Sequence, residues 1–328
     1  MGIHNPAAGS QATGKPGVDG EHPSVVLADI RNRPEISARV IVFANEKGGV
    51  GKSTLAFHTS VALARAGHKV LAIDLDKRQR SLDHALENRE ATTRSLGIEL
   101  PTPKHLVLNH QSGAMLMQEI ARSGQGCDTI VIDVAGHDSP IARRAIALAD
   151  KLVTPVNPNF VDLDSVAKFN VGTMKLTNAG SFAELVMQLR AERVANGFAP
   201  TDWMLVKNRV RRAEKLQLER FNAAISQLPA ELGLRVTGGL AERVAYRELF
   251  LFGLTHADCT DLPGMAGMSV RSSTGMSRLL EEMGVLGKTE ASSVPPLVQS
   301  RQPARSMKRY RQSLRTYIGA SKKVPTHA

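Results

Sequence analysis

The sequence predicts an α/β protein whose core is a doubly wound, mostly parallel sheet with helices on both faces. Five continuous apolar runs are spread along the chain, and segments with helical spacing of apolar residues lie between them. Continuous apolar runs are typical of strands buried on both faces, as happens where helices cover a parallel sheet. A chain of 328 residues with 42% hydrophobic residues can bury one large core of this kind.

The predicted elements follow one another in a regular order. Strands are expected over 39–45, 69–76, 128–136, 151–158 and 202–209. The first helix follows the first strand and ends at Gly67, because glycine favours the end of a helix. Further helical patterns predict helices over 138–149, 163–177 and 213–228.

Both ends of the chain are expected to lie outside this domain. Residues 1–38 are rich in Gly, Pro and Ala without a period, which predicts a flexible arm before a domain over 39–287. Residues 288–328 hold nine Lys and Arg and one acidic residue, Glu290, in a chain of net charge +11. We expect this basic tail to be disordered alone, and its charge indicates either a polyanion partner or a role in solubility.

One part of the tail has helical spacing. A helix over 304–320 would gather apolar residues on one side and cations on the rest. We expect its cations to bind DNA phosphates, with membrane contact and a role in solubility alone as the alternatives.

Composition excludes several classes of protein. No apolar run approaches the roughly 18 residues that a membrane span needs, and the N-terminus lacks an apolar signal segment. The two cysteines, Cys127 and Cys259, lie far apart and form no Cys-x-x-Cys pair. We therefore expect a reduced, cytosolic protein without a structural metal site.

The strongest functional signal is the segment "EKGGVGKST" at 46–54, between a predicted strand and a predicted helix. Glycines let backbone N–H groups approach phosphates, and a helix N-terminus favours negative charge. The lysine of such a loop reaches the β and γ phosphates of a nucleotide, and the serine after it holds Mg²⁺. The residues of this predicted nucleotide site are Gly48, Gly49, Val50, Gly51, Lys52, Ser53 and Thr54.

This loop resembles the deviant Walker A loop of the ParA/MinD superfamily of dimeric ATPases, which implies a P-loop NTPase fold. Glu46 stands where the standard loop has its first glycine, a departure that is common in the superfamily. The resemblance implies that the extra lysine, Lys47, reaches across a homodimer interface to the nucleotide of the partner. Dimerisation would then depend on ATP, and we expect hydrolysis to be slow and to depend on the dimer.

Carboxylates end two of the predicted strands, at the edge of the sheet where ligands of open α/β folds bind. Asp74 and Asp76 end the second strand. Because side chains alternate along a strand, we expect both carboxylates to point the same way. Such a pair can orient a water and approach Mg²⁺. The resemblance implies that Asp76 positions the attacking water. Asp133 ends the third strand as a Walker B carboxylate for Mg²⁺, and Gly136 can donate its N–H to the γ-phosphate.

Asn208 and Arg209 follow the fifth strand, where the base of the nucleotide is expected. An amide can pair with adenine and a guanidinium can stack on it, whereas the chain has no Asn-Lys-x-Asp guanine motif. The superfamily uses this position for adenine, so the resemblance implies ATP as the nucleotide.

Two later segments narrow the resemblance. "LVTPVNPNFVDLDSV" (152–166) and "ERVAYRELFLFGLT" (242–255) are similar to the division-plane positioning ATPases of the MipZ type. This implies an ATP dimer on nucleoid DNA or in a polar gradient, with a ParB-like partition protein and FtsZ as further partners. The match does not separate this type from ParA-like ATPases that partition chromosomes or plasmids.

Basic residues after the fifth strand and in the second of these segments are candidates for DNA binding. Non-specific binding needs only cations that face phosphates, and the resemblance places the DNA surface here. A solvated helix face is the alternative. The residues are Arg211, Arg212, Lys215, Arg220, Arg243 and Arg247.

Three other classes of protein share the loop. A MinD-like ATPase that cycles on a membrane would need a terminal amphipathic helix, and we do not expect a membrane partner. A metallochaperone or a relative of nitrogenase reductase is disfavoured because the two cysteines are isolated. A metabolic enzyme related to dethiobiotin synthetase would need a substrate pocket that the sequence does not reveal.

Overall fold

The computed structural model describes residues 22–286 except 34, 110–111, 171, 212, 242–243 and 263–269. Its strands are β1 (Arg39–Phe43), β2 (Val70–Asp74), β3 (Lys104–Val107), β4 (Thr129–Asp133), β5 (Lys151–Val156), β6 (Ala167–Phe169), β7 (Leu176–Ala179), β8 (Asp202–Lys207) and β9 (Arg235–Val236). Its helices are α1 (Pro23–Arg31), α2 (Lys52–Arg65), α3 (Ser81–Leu96), α4 (Gly113–Ser123), α5 (Pro140–Leu148), α6 (Phe160–Leu163), α7 (Ser181–Ala195), α8 (Lys215–Ile225), α9 (Leu228–Leu232), α10 (Val244–Leu251), α11 (His256–Asp261) and α12 (Val270–Glu282).

Seven strands form one sheet in the order β3-β2-β4-β1-β5-β8-β9, and every neighbouring pair is parallel. Alternate residues of the central strand β1 face two different cores, with Val40 and Val42 in one and Ile41 and Phe43 in the other. This alternation requires helices on both faces, since a strand buried on one side only would carry polar residues on the other. The predicted α/β class with a covered parallel sheet is therefore confirmed.

The register of the sheet brings the predicted site residues to one edge. Phe43 at the end of β1 pairs with Asp133 at the end of β4, and Asp133 pairs with Asp74 at the end of β2. The loop that follows β1 therefore begins beside two carboxylates. All five predicted strands are present, and α5 and α8 lie within the helices predicted over 138–149 and 213–228. The outer strands β3 and β9 were not predicted, because they are short and partly exposed.

Helix α1 differs from the prediction that residues 1–38 form a flexible arm. It begins after His22, whose side chain accepts a hydrogen bond from Ser24 N, and it buries Val26 and Leu27 against α5 and α7. A helix of nine residues is marginal in water, so this packing is what stabilises it. The rest of the predicted arm lies outside the described residues.

The prediction of a helix over 163–177 is wrong. After the short helix α6 the chain forms an antiparallel hairpin of β6 and β7. The Asn170 side chain accepts hydrogen bonds from the backbone of Gly172 and Thr173, which closes the turn between the two strands. Gln227 then binds the backbone of Leu176 and Met174 and holds the hairpin against the domain. These are contacts of an asparagine turn and a distant side chain, which helical spacing does not reveal.

Within the part of the chain that the structure describes, no helix is long and apolar enough to cross a membrane. The predicted tail helix over 304–320 lies outside that part.

Candidate nucleotide-binding site

The loop after β1 opens into a cavity of about 720 Å³ at the carboxyl edge of the sheet. Gly51 is the residue before α2 and has a φ of +96°, a conformation that glycine adopts readily and other residues rarely do. A β-carbon at Gly51 would also clash with the Asn208 side chain. This glycine therefore lets the loop turn directly into the N-terminus of α2, whose backbone N–H groups and dipole suit an anion.

Most of the predicted residues meet in this cavity. Those that line it are Gly48, Gly49, Gly51, Lys52, Ser53, Thr54, Asp76, Asp133, Gly136 and Arg209. Four predicted residues do not line it, namely Lys47, Val50, Asp74 and Asn208.

Lys52 bridges the phosphate loop. Its ammonium donates a hydrogen bond to the Lys47 carbonyl over 2.8 Å. Burial lowers the pKa of Lys52, while Asp133 and Asp76 oppose that effect. A β-carbon at Gly136 would lie 3.3 Å from the Lys52 Nζ, so a larger residue there would crowd the lysine. Lys52, Gly136 and the loop thus converge at one end of the cavity.

Lys47 itself is half-buried beside the loop and outside the cavity lining. Its backbone N–H donates to the side-chain oxygen of Asn45, and the Asn45 amide donates to the Pro155 carbonyl. Asn45 also accepts from the Ser165 hydroxyl. The backbone of Lys47 is therefore fixed, while its side chain is not among those that line the cavity of its own chain. Sequence reasoning gave Asn45 no role, because its partners are distant along the chain.

Asp133 has the chemistry of a cation ligand. Ser53 lies beside its carboxylate, and one carboxylate oxygen, Oδ1, is buried without a hydrogen-bond partner among the described residues. Burial raises the pKa of Asp133 to about 8, and the neighbouring Asp74 adds to this. Carboxylate and hydroxyl oxygens are the ligands that Mg²⁺ prefers, with waters and phosphates completing its shell. The residues present therefore fit Mg²⁺ beside Ser53 and Asp133.

Asp74 and Asp76 are placed differently, because β2 ends at Asp74 and strand alternation stops there. The two carboxylate oxygens of Asp74 accept hydrogen bonds from the backbone of Asp76, Leu82 and Asp83, which caps the start of α3. Burial raises the pKa of Asp74, and these hydrogen bonds oppose that effect. Its oxygens are thus used inside the protein, and the expectation that Asp74 points with Asp76 towards the ligand is wrong.

Asp76 does reach the cavity. One of its carboxylate oxygens accepts from the backbone of Arg78 and Gln79, at 3.1 and 3.0 Å, which orders the segment before α3. This geometry leaves Asp76 half-exposed at the cavity wall.

Asn208 is turned inward. Its amide donates to the Val50 carbonyl over 2.8 Å, and its oxygen accepts from Arg209 N over 2.9 Å. The side chain thus ties the end of β8 to the phosphate loop, and it does not offer its amide to the cavity. Arg209 does line the cavity, from a backbone with a φ of +51°.

The candidate DNA-binding residues lie partly within the described chain. Arg211, Lys215 and Arg220 are exposed, on or just before α8, and Arg211 lies 3.4 Å from Glu214. Arg247 belongs to α10. Arg212, Arg243 and the direction of the Arg247 side chain lie outside what the structure describes.

The site combines a buried strand, a glycine loop with two lysines, a helix N-terminus, and Asp133 beside Ser53. Together these features define a P-loop ATPase of the ParA/MinD superfamily. More narrowly, the chain belongs to the family of the ATPase MipZ, whose model matches residues 39–284.

Relatives of several kinds resemble the chain. The chromosome-partitioning ATPase Soj of Thermus thermophilus is 28% identical over 243 residues, which cover 64% of this chain and 96% of Soj. The septum site-determining protein MinD of Synechocystis is 29% identical over 181 residues, which cover 48% of this chain and 66% of MinD. Among solved structures, apo McdA of Cyanthece superposes with a TM-score of 0.53 and is 16% identical in sequence. The match covers 76% of this chain and 100% of McdA. At that identity the match supports the fold alone.

Proposed function

We propose that this protein is a molecular switch that dimerises when it binds ATP, binds DNA non-specifically as a dimer and positions the division plane or a partitioned cargo. The placement of Lys47 carries the proposal. Its backbone is fixed at the rim of a phosphate loop, yet its side chain does not line the cavity of its own chain. In that position the cation can pair with phosphates that another copy of the chain presents.

Nucleotide binding is assigned to the loop and to Lys52. The Lys52 ammonium now bonds to the Lys47 carbonyl, and it can exchange this bond for the β and γ phosphate oxygens of ATP. Ser53 and Asp133 would hold Mg²⁺, which neutralises phosphate charge when bound. Gly136 can donate its backbone N–H to the γ-phosphate because its lack of a side chain permits a close approach to Gly48 and Lys52.

Hydrolysis is assigned to Asp76 acting on water. Asp76 is the carboxylate of the β2 end that lines the cavity, and the backbone of Arg78 and Gln79 fixes one of its oxygens. A carboxylate held in this way can orient a water towards the γ-phosphate. Asp74 supports this arrangement from behind, because it binds both the Asp76 backbone and the start of α3.

DNA binding is assigned to the exposed cations at α8, which start just beyond Arg209 at the cavity. A dimer doubles the number of these cations, and the affinity for DNA rises steeply with the number of phosphates contacted. This links nucleotide state to DNA association. A ParB-like partition protein and FtsZ are the further partners that we propose, in line with the resemblance to MipZ-type ATPases.

The test is sedimentation with ATP and Mg²⁺, alone and with DNA or anionic liposomes. We expect a dimer with ATP only, and pelleting with DNA but not with liposomes. The similarity to MinD favours membrane cycling as the second candidate, which pelleting with liposomes in ATP would support. A protein that stays monomeric with every nucleotide would contradict both.

A matched pair of variants tests the DNA surface. Lys215→Ala with Arg220→Ala removes two exposed cations of α8 from each protomer. It should weaken binding to all DNA sequences alike, and the salt slope should become shallower by about 1 for each phosphate that the variant no longer neutralises. Arg94→Ala with Arg122→Ala removes the same charge from exposed sites on α3 and α4 and should leave the binding unchanged.

A further inference from the structure

The wall of the nucleotide cavity contains one aromatic hydrocarbon ring among the residues that the structure describes, that of Phe250 on α10. Apart from Phe250 and Val134, every lining residue is a glycine or carries a polar or charged side chain. Val134 is only 3% exposed, whereas Phe250 is half-buried. The Phe250 ring therefore gives the cavity its one large flat apolar surface. It belongs to the sequence segment 242–255, to which the proposed function assigns no chemistry at the nucleotide.

The ring stands beyond the phosphate loop. It packs edge to face on Phe57 of α2, with ring centroids 5.3 Å apart, and Phe57 is fully buried. Phe57 follows Thr54, which lines the cavity, by about one turn of α2. Phosphates held at the start of α2 leave the remainder of a nucleotide to lie against another part of the wall. Phe250 is the apolar part of that wall against which an aromatic base can pack.

The end of α10 is held firmly enough to fix the ring. Three side chains of α3 bind three consecutive carbonyls at this point. Asn88 donates to Leu251, Thr92 donates to Phe252 and Arg89 donates to Gly253, over 3.1, 2.7 and 3.0 Å.

Gly253 shows how closely the two helices approach. Its φ is +63°, and a β-carbon there would clash with the backbone of Arg89. The end of α10 is therefore seated directly on the backbone of α3. A ring mounted on this end is preorganised, so little conformational entropy is lost when a ligand packs against it.

Asn208 does not compete for the base in this structure. Its amide is bonded to the Val50 carbonyl and its oxygen to Arg209 N, so neither end faces the cavity. A surface that does not read hydrogen-bonding groups can then supply affinity for the base. An aromatic ring meets this requirement, because every base has a π-face.

We propose that Phe250 is the surface against which the base of the bound nucleotide packs, an inference that rests on the proposed nucleotide site. The contact supplies affinity for the nucleoside and does not distinguish adenine from guanine. It is independent of the phosphate contacts at Lys52. Loss of the ring should therefore weaken the binding of nucleotides and leave the binding of inorganic triphosphate unchanged.

The experiment is calorimetric titration of the full chain with ADP, GDP and inorganic triphosphate, each with Mg²⁺. Phe250→Ala should weaken the binding of ADP and of GDP by a similar factor, roughly tenfold, as expected for the loss of one base–aromatic contact. Triphosphate should bind as it does to the wild type. Phe250→Tyr keeps a ring and should stay within about twofold of the wild type. Phe252→Ala is the matched control, since Phe252 packs on a separate core cluster and does not line the cavity.

Phe250→Leu keeps apolar volume against Phe57 and guards against unfolding of the alanine variant. It should fold as the wild type does and still lose ADP affinity, because it lacks a flat ring. Unchanged ADP affinity in Phe250→Leu and Phe250→Ala would overturn the inference, as would an equal loss of triphosphate affinity. A wild-type protein that binds none of these ligands would instead overturn the proposed nucleotide site.

Discussion

Arg89 on α3 and Asp258 on α11 form an ion pair in which neither side chain has any solvent exposure, with 2.8 Å between Nη1 and Oδ2. Arg65 of α2 approaches the same carboxylate within 3.0 Å, and the Thr255 backbone and hydroxyl bond to it as well. Burial alone would raise the pKa of Asp258, but Arg89 and Arg65 hold it at about 2. One carboxylate therefore joins the helix after the phosphate loop, the helix after Asp76 and the chain that follows Phe250.

Asp258→Asn should be strongly destabilising. It leaves two buried guanidinium groups without their counter-charge, which costs about 3–5 kcal/mol in comparable sites. The free energy of unfolding, measured by urea titration, gives the loss directly. Asp164→Asn makes the same chemical change at an exposed position and should shift stability by less than about 0.5 kcal/mol. Equal effects of the two substitutions would contradict the importance of the pair.

As the pH is lowered below about 6.5, the free energy of unfolding should decrease because of His58. Burial lowers the pKa of His58 to about 3, and His256 adds to this, whereas Asp258 opposes it. The side chain lies against the rings of Phe57 and Tyr246. Unfolding exposes the ring to water, where it takes up a proton between these two pKa values. The unfolded state thus binds more protons than the folded state, and acid favours unfolding in this window.

The measurement is urea unfolding at pH 6.5 and 5.5. His58 should account for a loss of about 1 kcal/mol over this interval. His58→Leu removes the titrating group and should flatten this part of the pH dependence, whatever its effect at neutral pH. A variant with the same slope as the wild type would show that other groups cause the pH dependence.

Part of this architecture was accessible from the sequence because its signals are local. A buried parallel strand is a continuous apolar run, and the phosphate loop has a glycine spacing that needs no distant partner. The edge containing Asp76 and Asp133 followed from the positions of these residues at the ends of predicted buried strands. The roles of Asp74 and Asn208 did not, because each depends on which way a polar side chain turns. Asp74 turned to cap α3 and Asn208 turned to bind Val50, both in preference to the cavity.

Elements that depend on tertiary packing were also missed. Helix α1 lies in a segment whose composition resembles a flexible arm, and only burial of Val26 and Leu27 on α5 and α7 distinguishes it. The same reason explains why the proposed base surface was not predicted from the sequence. From the sequence alone, Phe250 is indistinguishable from an ordinary core residue. Its place in the cavity wall depends on α3, which fixes the end of α10 beside the phosphate loop.

Leu27→Ala should measure how much α1 contributes to the fold. Leu27 has no solvent exposure, so its truncation should cost about 2–5 kcal/mol in the free energy of unfolding. Val25 on the same helix is 58% exposed, and Val25→Ala should cost less than about 0.5 kcal/mol. If Leu27→Ala were as mild as Val25→Ala, α1 would not be packed on the domain in solution.

Asp76→Ala should separate binding from hydrolysis. Asp76 lines the cavity but is not expected to bind a phosphate, so the variant should bind ATP and dimerise while its turnover falls by roughly 100-fold. Phosphate release and sedimentation with ATP measure the two properties. The trapped dimer should also associate more strongly with DNA.

Asp74→Asn is the comparison for Asp76→Ala. It replaces one of the two oxygens that accept backbone hydrogen bonds with an amide donor, and it should lower thermal stability by more than Asp76→Ala, which loses the bonds from Arg78 and Gln79. Normal turnover in Asp76→Ala would exclude Asp76 from the hydrolytic step.

Alanine substitutions of the two lysines of the loop should cause different losses, of ATP binding in one case and of dimerisation in the other. Lys52 lines the cavity beside Asp133, and Lys52→Ala should abolish ATP binding because it removes the cation for the β and γ phosphates. Lys47 lies outside that lining, so Lys47→Ala should bind ATP as a monomer within a few-fold of the wild type and should not dimerise. Calorimetry with ATP and sedimentation velocity distinguish the two losses.

Mixing the two variants extends the test, because the roles are assigned to different protomers. Lys47→Ala retains a complete cavity but lacks the cation that it would donate to a partner. Lys52→Ala retains that cation but presents no bound ATP. A mixed dimer would hold one nucleotide, contacted across the interface by the Lys47 of the Lys52→Ala protomer. We therefore expect mixing in ATP to give weak dimers that neither variant forms alone. If Lys47→Ala lost ATP affinity as severely as Lys52→Ala, Lys47 would act within its own chain, and the cross-subunit role would be wrong.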